Sequence, residues 1–263
     1  MSAFAARFNR LPVWHRRVRV WGADFRACSL DRLVYLTLHR LGSMGREERA
    51  FFETQIKPGM NIAEAGANIG VYTIQLARLV GPEGRVFAFE PDPHLFACLR
   101  ENLDRAGVTN VEAHHCALGS AAGKLSLAWD GLNSGDTHLT REAQAGAAQV
   151  DVARLDHVLT GKRVDFFKLD VQGWEVEVLR GMTGLFPANP ALKLFVEYWP
   201  AGLRRAGTEP AELLAFFKEH GWELASTPDL QAMDAARFAA WDAKPAAFQN
   251  VFATREVAHA APA

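Results

Sequence analysis

Asn61-Ile62-Ala63-Glu64-Ala65-Gly66-Ala67-Asn68-Ile69-Gly70, closed later by Phe89-Glu90-Pro91, is the stretch on which the reading of this chain turns. A short apolar run ends in an acidic residue and a glycine-bearing turn. Apolar side chains then recur at Ile69, Tyr72, Thr73, Leu76, Ala77 and Val80, the spacing of one helix face. A second apolar run, Val86-Phe87-Ala88-Phe89, ends on Glu90. Strand, turn, helix and strand in that order form a unit in which a nucleoside-bearing ligand lies over the first turn. Gly66 and Gly70 are expected to let backbone and ligand approach closely, because neither carries a side chain. Glu90, at the carboxyl end of the second strand, is placed to accept hydrogen bonds from both hydroxyls of a ribose.

Spacing separates two classes of ligand. A dinucleotide fingerprint needs G-x-G-x-x-G. Counted from Gly66, its second and third glycines fall on Asn68 and Val71, so the pyrophosphate clasp is missing. Glu64, just before the turn, would repel a pyrophosphate and suits a ligand carrying an ammonium. S-adenosylmethionine has that ammonium, a sulfonium and a ribose, and no phosphate. The plainer alternative is a doubly wound protein whose glycines merely serve a turn.

The 263 residues, 49% of them hydrophobic, suffice for one large α/β domain or a domain with an appended subdomain. A net charge of −1 gives no electrostatic case for nucleic acid or an anionic membrane as partner. Cys28, Cys98 and Cys116 form no C-x-x-C pair and read as small buried hydrophobes in a reducing, cytoplasmic setting. No apolar run approaches the length that spans a bilayer. Arg7, Arg10, Arg16, Arg17 and Arg19 precede any acid, which resembles a transit-peptide composition. A solvated basic edge is the plainer reading of that cluster.

Along the chain, Val18, Val20 and Phe25 alternate around Trp21-Gly22-Ala23-Asp24 and predict a short hairpin. Asp31 is placed to cap a helix through Leu41, and Glu47 to Ile56 forms a second helix before Lys57-Pro58-Gly59. Asp92 and Pro93 suit the N-cap and first position of a helix carrying Leu95, Leu99 and Leu103, ended by Gly107. Val111 to Leu118 reads as the third strand, and Lys124 to Trp129 as an extra one. Asp130 to His138 is polar and glycine-bearing and reads as a long loop, functional or disordered; Ala143 to Ala148 is low in complexity. Val150 to Ala153 and Leu155 to Leu159 read as a strand and a short helix. Val164 to Asp170 is a buried strand followed by a helix from Trp174, and Leu192 to Trp199 is the fifth strand, holding Glu197. Pro210 opens another helix, and the strands Trp222 to Ala225 and Asn250 to Thr254 close a hairpin at one sheet edge. The expected organisation is an arm, hairpin and helix over 1–45, one domain over 46–257 and a disordered tail over 258–263.

Three separated blocks resemble the FkbM family of S-adenosylmethionine-dependent methyltransferases. They are Glu64-Ala65-Gly66-Ala67-Asn68-Ile69-Gly70; Phe89-Glu90-Pro91-Asp92-Pro93 with Asn102; and Lys168-Leu169-Asp170-Val171-Gln172-Gly173-Trp174-Glu175 with Val178-Leu179-Arg180-Gly181. Ala117-Leu118-Gly119 and Leu155-Asp156 also fall where the family has them. The resemblance runs from about Glu48 to Glu197. Glu64 stands for the family's usual aspartate, and Gln172 for a common glutamate, which marks Gln172 as structural or substrate-facing. The resemblance implies a class I, Rossmann-like methyltransferase fold: a seven-stranded, mostly parallel sheet with helices on both faces and a small N-terminal extension. It also implies O-methylation of hydroxyls on sugars, glycans or natural-product scaffolds.

Methyl transfer from a sulfonium is an in-line displacement, so alignment is the enzyme's main task. An alcohol acceptor adds the need for a base or a metal. Asp170 is the leading base, ending the fourth strand, with Glu197 on the neighbouring strand as its helper. Mg²⁺ held by the two acids is the less favoured alternative, and the metal site is left unassigned. Lys168, on the same strand face as Asp170, is expected to pair with it, and His138 is the freest histidine for the acceptor. Asn133 and Ser134 share the His138 loop. One of His114 and His115 must face inward, as a core or cofactor-wall residue, and Glu175 suits the helix dipole. The expected cofactor set is Glu64, Gly66, Ala67, Asn68, Gly70, Glu90, Pro91, Cys116, Ala117 and Asp170, with the adenine near Cys116 and Ala117. A nicotinamide oxidoreductase and a non-catalytic protein that keeps the fold are the competing readings. The expected partner is a small-molecule or glycan acceptor, with no nucleic acid and no membrane span; self-association as a homo-oligomer stays open.

Overall fold

The computed structural model describes residues 17–20, 22–26, 45–128, 137–140, 148–244 and 248–255. The helix expected after Asp31, the Asp130–Asp136 part of the polar loop with Asn133 and Ser134, the low-complexity segment up to residue 147 and the tail lie outside the described residues.

β1 (Arg17–Val20) and β2 (Ala23–Arg26) form the expected antiparallel hairpin, with Val20 opposite Ala23. The core unit follows as α1 (Arg46–Gln55), β3 (Asn61–Ala65), α2 (Val71–Val80), β4 (Arg85–Phe89), α3 (Pro93–Ala106) and β5 (Val111–His114). Asp92 caps α3 by accepting the amides of His94 and Leu95, with Pro93 at the first position and Gly107 at φ 65° ending the helix. After an insert come α4 (Leu155–Val158), β10 (Phe166–Leu169), α5 (Glu175–Arg180), β11 (Lys193–Tyr198), α6 (Pro200–Arg205), α7 (Pro210–Glu219), β12 (Glu223–Ser226), α8 (Ala235–Asp242) and β13 (Gln249–Thr254).

The main sheet has seven strands in the order β12-β13-β11-β10-β3-β4-β5, with only β13 antiparallel to its neighbours. Its central strands are largely apolar, apart from the paired Glu64 and Lys168, because both faces are covered, as parallel sheets require. Ile62, Val86, Ala88, Phe166 and Phe195 turn to one face, where they pack with Phe52 of α1, Ile74 and Leu76 of α2 and Leu99 of α3. The alternate residues Ala63, Phe87, Phe167, Leu169 and Leu194 turn to the other, against Val176 and Leu179 of α5 and Leu213 and Phe217 of α7. Val20, Ala23 and Phe25 of the hairpin join the first cluster, so the hairpin is seated on the core.

Two sequence expectations need correction. Val111 to Leu118 is not one strand: β5 stops at His114, and β6 (Ala117–Leu118) leaves for a second sheet. That sheet, in the order β6-β9-β7-β8, contains β7 (Gly123–Ala128), β8 (His138–Thr140) and β9 (Ala148–Ala153). His138 is not a loop residue either; it opens β8 opposite Ala128 of β7. The first error arises because strand periodicity reports alternation, not which sheet a strand joins; the second because β8 is too short for alternation to show. The helix α8 was not anticipated, although Asp234 caps it and Phe238 and Trp241 give it a buried side against Tyr198.

Candidate active site

From β3 the chain moves outward to β4 and β5, then returns to lay β10 on the other side of β3. The carboxyl ends of strands flanking such a reversal leave a crevice. Here a cavity of about 600 Å³ opens there, lined by Ala65 to Asn68, Phe89 to Pro91, Asp170 to Gln172 and Glu197, and walled by the second sheet through Cys116, Ala117, Leu127, His138 and Leu139.

The turn after β3 is held by backbone and by one carboxylate. The amides of Gly66 and Ala67 both donate to the Phe89 carbonyl, at 3.1 Å each. Asn68, at φ 51°, donates its amide to Glu90 Oε2 at 2.8 Å, while Glu90 Oε1 accepts the Asp92 amide at 2.9 Å. Glu90 thus ties the first turn to the cap of α3 and still faces the cavity. Burial raises its pKa to about 7, against the pull of the Asp92 and Asn68 amides. The buried amide of Asn102 donates to the Ile69 carbonyl at 2.8 Å and fixes the far end of the turn.

The glycines have a packing role as well. A Cβ on Gly66, at φ +79°, would sit 1.9 Å from the Asp170 carbonyl, and one on Gly70 would meet Leu99 at 2.8 Å. Their first service is to let the turns after β3 and β10 lie against each other and α2 against α3; Gly70 is not among the lining residues. Glu64 also lies behind the wall, fully buried. It accepts the Thr73 hydroxyl at 2.6 Å and stands 3.8 Å from Lys168 Nζ, its neighbour in the β3–β10 register. Burial raises Glu64 to about 7, offset in part by Lys168.

Lys168 is 2% exposed, and its Nζ stands 3.3 Å from Asp170 Oδ2 and 5.0 Å from the centre of the Tyr72 ring. Burial alone would lower its pKa, but Asp170 and Glu64 outweigh that effect and raise it. Asp170 and Glu197 come together as expected, through a residue whose role was left open. Gln172, at φ 57°, donates Nε2 to Asp170 Oδ1 at 2.9 Å and to Glu197 Oε2 at 3.1 Å. Glu175 does more than meet a helix dipole: its Oε1 accepts the amides of Val171 and Gly173, at 3.1 Å each, and so shapes the turn that presents Gln172.

His114 stacks on Phe89 and His115 on Phe96, with ring centroids 4.6 Å and 4.7 Å apart, and neither is among the lining residues. His138 lines the cavity from the second sheet. Cys116 and Ala117 line it beside Pro91, and burial pushes the Cys116 thiol up to about 11, which leaves it an unreactive wall residue. Sequence reasoning missed Glu48, Tyr72, Trp199, Phe248 and Asn250, which also line the cavity. Asn250 donates to Glu48 Oε1 at 3.1 Å and lies directly opposite Glu197 in the β11–β13 ladder. Only the antiparallel insertion of β13 brings them together, and no local pattern signals it.

The donor set tests which cofactor fits. Glu48, Glu90, Asp170 and Glu197 are acids on the lining; Lys168 is the one lysine or arginine among the described lining residues, and Glu64 and Asp170 hold it. A pyrophosphate would find no free cation among the described lining residues. A phosphate-free, cationic ligand with a ribose meets complementary charge, which is the profile of S-adenosylmethionine. Among the described residues no group of three or more His, Cys, Asp or Glu is arranged to hold a metal ion, and no helix is long and apolar enough to cross a membrane.

Similarity to known proteins agrees. A methyltransferase from Sordaria araneosa, sdnD, is 30% identical over 79% of this chain and 94% of its own length. Methyltransferase 1 of Beauveria bassiana is 33% identical over 46% of this chain, and the match spans 57% of that protein. Hexuronic acid methyltransferase AglP of Haloferax volcanii is 32% identical over 46% of this chain and 48% of its own. Among solved structures, a TehB-like S-adenosylmethionine-dependent methyltransferase from Corynebacterium glutamicum superposes with a TM-score of 0.50 at 12% identity, over 85% of this chain and 95% of that one, a likeness of fold. The methyltransferase FkbM domain model matches residues 64–224, from the acid before the first turn to β12. With that match laid over the crevice just described, this chain belongs to the FkbM-domain family of S-adenosylmethionine-dependent methyltransferases.

Proposed function

We propose that the protein is an O-methyltransferase that acts on a hydroxyl of a sugar, glycan or natural-product scaffold. The observation that carries this reading is the convergence of Asp170 and Glu197 on one amide, Gln172, beside the cofactor turn. Glu90 would receive the ribose hydroxyls, the Gly66–Asn68 backbone the amino-acid end, and Cys116 and Ala117 the adenine. When bound, S-adenosylmethionine supplies an electrophilic methyl group on a sulfonium. Asp170 would take the hydroxyl proton as the acceptor oxygen attacks, and Lys168 Nζ, 3.3 Å away, fixes the orientation of that carboxylate. Glu197 would orient the hydroxyl through the shared amide.

Two relatives are named for oxygen-bearing substrates, a hexuronic acid methyltransferase and 31-O-demethyl-FK506 methyltransferase FkbM, the latter 30% identical over 49% of this chain. Their names support a hydroxyl acceptor as a class. The test has two arms. Calorimetric titration should show S-adenosylhomocysteine binding and no comparable binding of NAD, which would dispose of the nicotinamide alternative. Mass spectrometry of a glycoside and polyol panel incubated with S-adenosylmethionine should then show a gain of one methyl on oxygen. Methylation confined to a nitrogen or to nucleic acid would overturn the proposal, and binding without transfer to any acceptor would favour a non-catalytic protein.

A further inference from the structure

Resting on the O-methyltransferase reading, we propose that the wall running from Asp170 to Glu48 is the acceptor subsite, and that it selects a polyhydroxylated ring without an acid group over one bearing a carboxylate. Acids and amides alternate along this wall. Gln172 donates to Asp170 and Glu197; Asn250 lies opposite Glu197 across the β11–β13 ladder and donates to Glu48 at 3.1 Å. All five line the same cavity. A row of carboxylate acceptors with interposed amide donors matches successive hydroxyls on a ring, each of which both donates and accepts.

Aromatic surface adjoins the row. Trp199 and Phe248 line the cavity there, and Phe248, at 59% exposure, is one of two exposed large hydrophobic side chains among the described residues. A pyranose carries hydroxyls on its rim and C–H groups on its faces, so an acid-amide strip beside aromatic faces addresses both parts at once.

Charge decides between acceptors. Glu48, Asp170 and Glu197 stand on this wall, and the Lys168 ammonium is taken by Glu64 and Asp170. The Arg205 guanidinium is turned onto the Trp199 ring at 4.8 Å and donates to the Gln172 carbonyl at 3.2 Å. Among the described residues of the wall acids outnumber cations, so an acceptor carboxylate entering here would meet net like charge, which acts as a filter against it. A protonated amine on the ring would meet attraction instead. The wall therefore differs in its preference from what the name of the hexuronic acid relative describes.

The experiment uses the full chain saturated with S-adenosylhomocysteine and measures binding by ligand-observed NMR titration. The probes are neutral methyl hexopyranosides, the matching 2-amino glycosides and the matching methyl hexuronides. The best neutral or amino glycoside should bind at least about tenfold tighter than its uronide at low salt, because the wall's charges are poorly screened there. In Glu48→Gln, which retains an acceptor for Asn250, the gap should narrow severalfold while circular dichroism is unchanged. A uronide that binds as tightly as its neutral partner, a gap that Glu48→Gln leaves intact, or a liganded protein that binds none of the probes would overturn the proposal. Failure to take up S-adenosylhomocysteine would fall instead on the methyltransferase reading beneath it.

Discussion

Gln172 Nε2 stands 3.1 Å from Glu197 Oε2, and the same nitrogen is 2.9 Å from Asp170 Oδ1. One neutral amide therefore holds in register two carboxylates on neighbouring strands, while Lys168 Nζ takes the outer oxygen of Asp170. The geometry is set by the backbone: Gln172 adopts φ 57°, a conformation that costs a side-chain-bearing residue about 1 kcal/mol or more. Glu175 stabilises it from below by accepting the amides on either side of Gln172.

Gln172 tests the bridge between the two acids. Gln172→Gly relieves about 1 kcal/mol of backbone strain, since glycine adopts positive φ freely, which is less than the hydrogen bonds it gives up, so the melting temperature should not rise. It also removes two hydrogen bonds to acids, each worth about 1.5–3 kcal/mol with an ionised acceptor. Turnover should fall about tenfold or more, with S-adenosylhomocysteine affinity changed by no more than about twofold. Steady-state kinetics on the purified variant would decide; unchanged kcat would mean the amide is only a spacer.

Glu90 carries the ribose assignment. Glu90→Ala should weaken S-adenosylhomocysteine binding by at least tenfold, since two hydrogen bonds to a buried carboxylate are lost. The same change releases the Asn68 and Asp92 amides that Glu90 holds, so the variant must be shown to fold. Glu90→Gln retains an acceptor and separates the two effects. Wild-type affinity in folded Glu90→Ala would sink the assignment.

What the sequence made legible follows from where each signal lives. The cofactor unit was readable because strand, turn, helix and strand are consecutive, and Glu64, Glu90 and Asp170 sit at strand ends that local patterns mark. The purpose of Gly66 was not, because the atom that needs its missing side chain, the Asp170 carbonyl, belongs to a strand paired with β3 only in the folded sheet. Glu64 was expected at the ligand and proves to stand behind Lys168, since pleat direction decides which of two buried acids faces a cavity. His138 was assigned to a loop because β8 is three residues long, too short for alternation to show. Glu48 and Asn250 were invisible for the same reason as Gly66: β13 returns from the far end of the chain to lie beside β11.

Gly66 itself gives a packing test. In Gly66→Ala the new Cβ would collide with a backbone carbonyl at 1.9 Å, at a φ of +79° that disfavours any side chain. The turns after β3 and β10 must separate, costing about 2–4 kcal/mol from overpacking and backbone strain together. The melting temperature should drop by several degrees, and cofactor affinity and turnover should fall together, because one turn carries the cofactor cradle and the other Asp170. Loss of one without the other would show that the two turns are not coupled.

Glu175 predicts how stability depends on pH. Its carboxyl is 1% exposed, its Oε2 has no hydrogen-bond partner, and burial raises its pKa from 4.5 to about 7 despite three backbone amides. Between those values the folded state binds a proton that the unfolded state has released. The contribution is therefore full below about 4.5 and is lost as the pH rises through about 7. Glu175→Gln mimics the protonated acid and keeps an acceptor for Val171 and Gly173. It should flatten that part of the stability-pH curve and be at least as stable as wild type at pH about 8. Thermal unfolding across the range checks it; an unchanged slope would show that Glu175 is ionised throughout.

Asp170 should matter for turnover far more than for cofactor binding. Its Oδ1 faces Gln172 and its Oδ2 faces Lys168, so it is oriented before any acceptor arrives. Asp170→Asn leaves the size and the turn unchanged but removes the base, which should cost about 10²–10⁴ in kcat. S-adenosylhomocysteine affinity should move little, measured by calorimetry on the same preparation. Glu197→Gln should cost less, since its partner amide can still be satisfied. Chelation separates the two ways in which a pair of carboxylates can serve. Activity that survives EDTA keeps Asp170 as base and Glu197 as its helper; activity abolished by EDTA and restored by Mg²⁺ makes both of them ligands, with waters and the acceptor completing the octahedron. Full activity of Asp170→Asn, with or without chelator, would remove both versions and leave alignment of the hydroxyl as the whole of the protein's contribution.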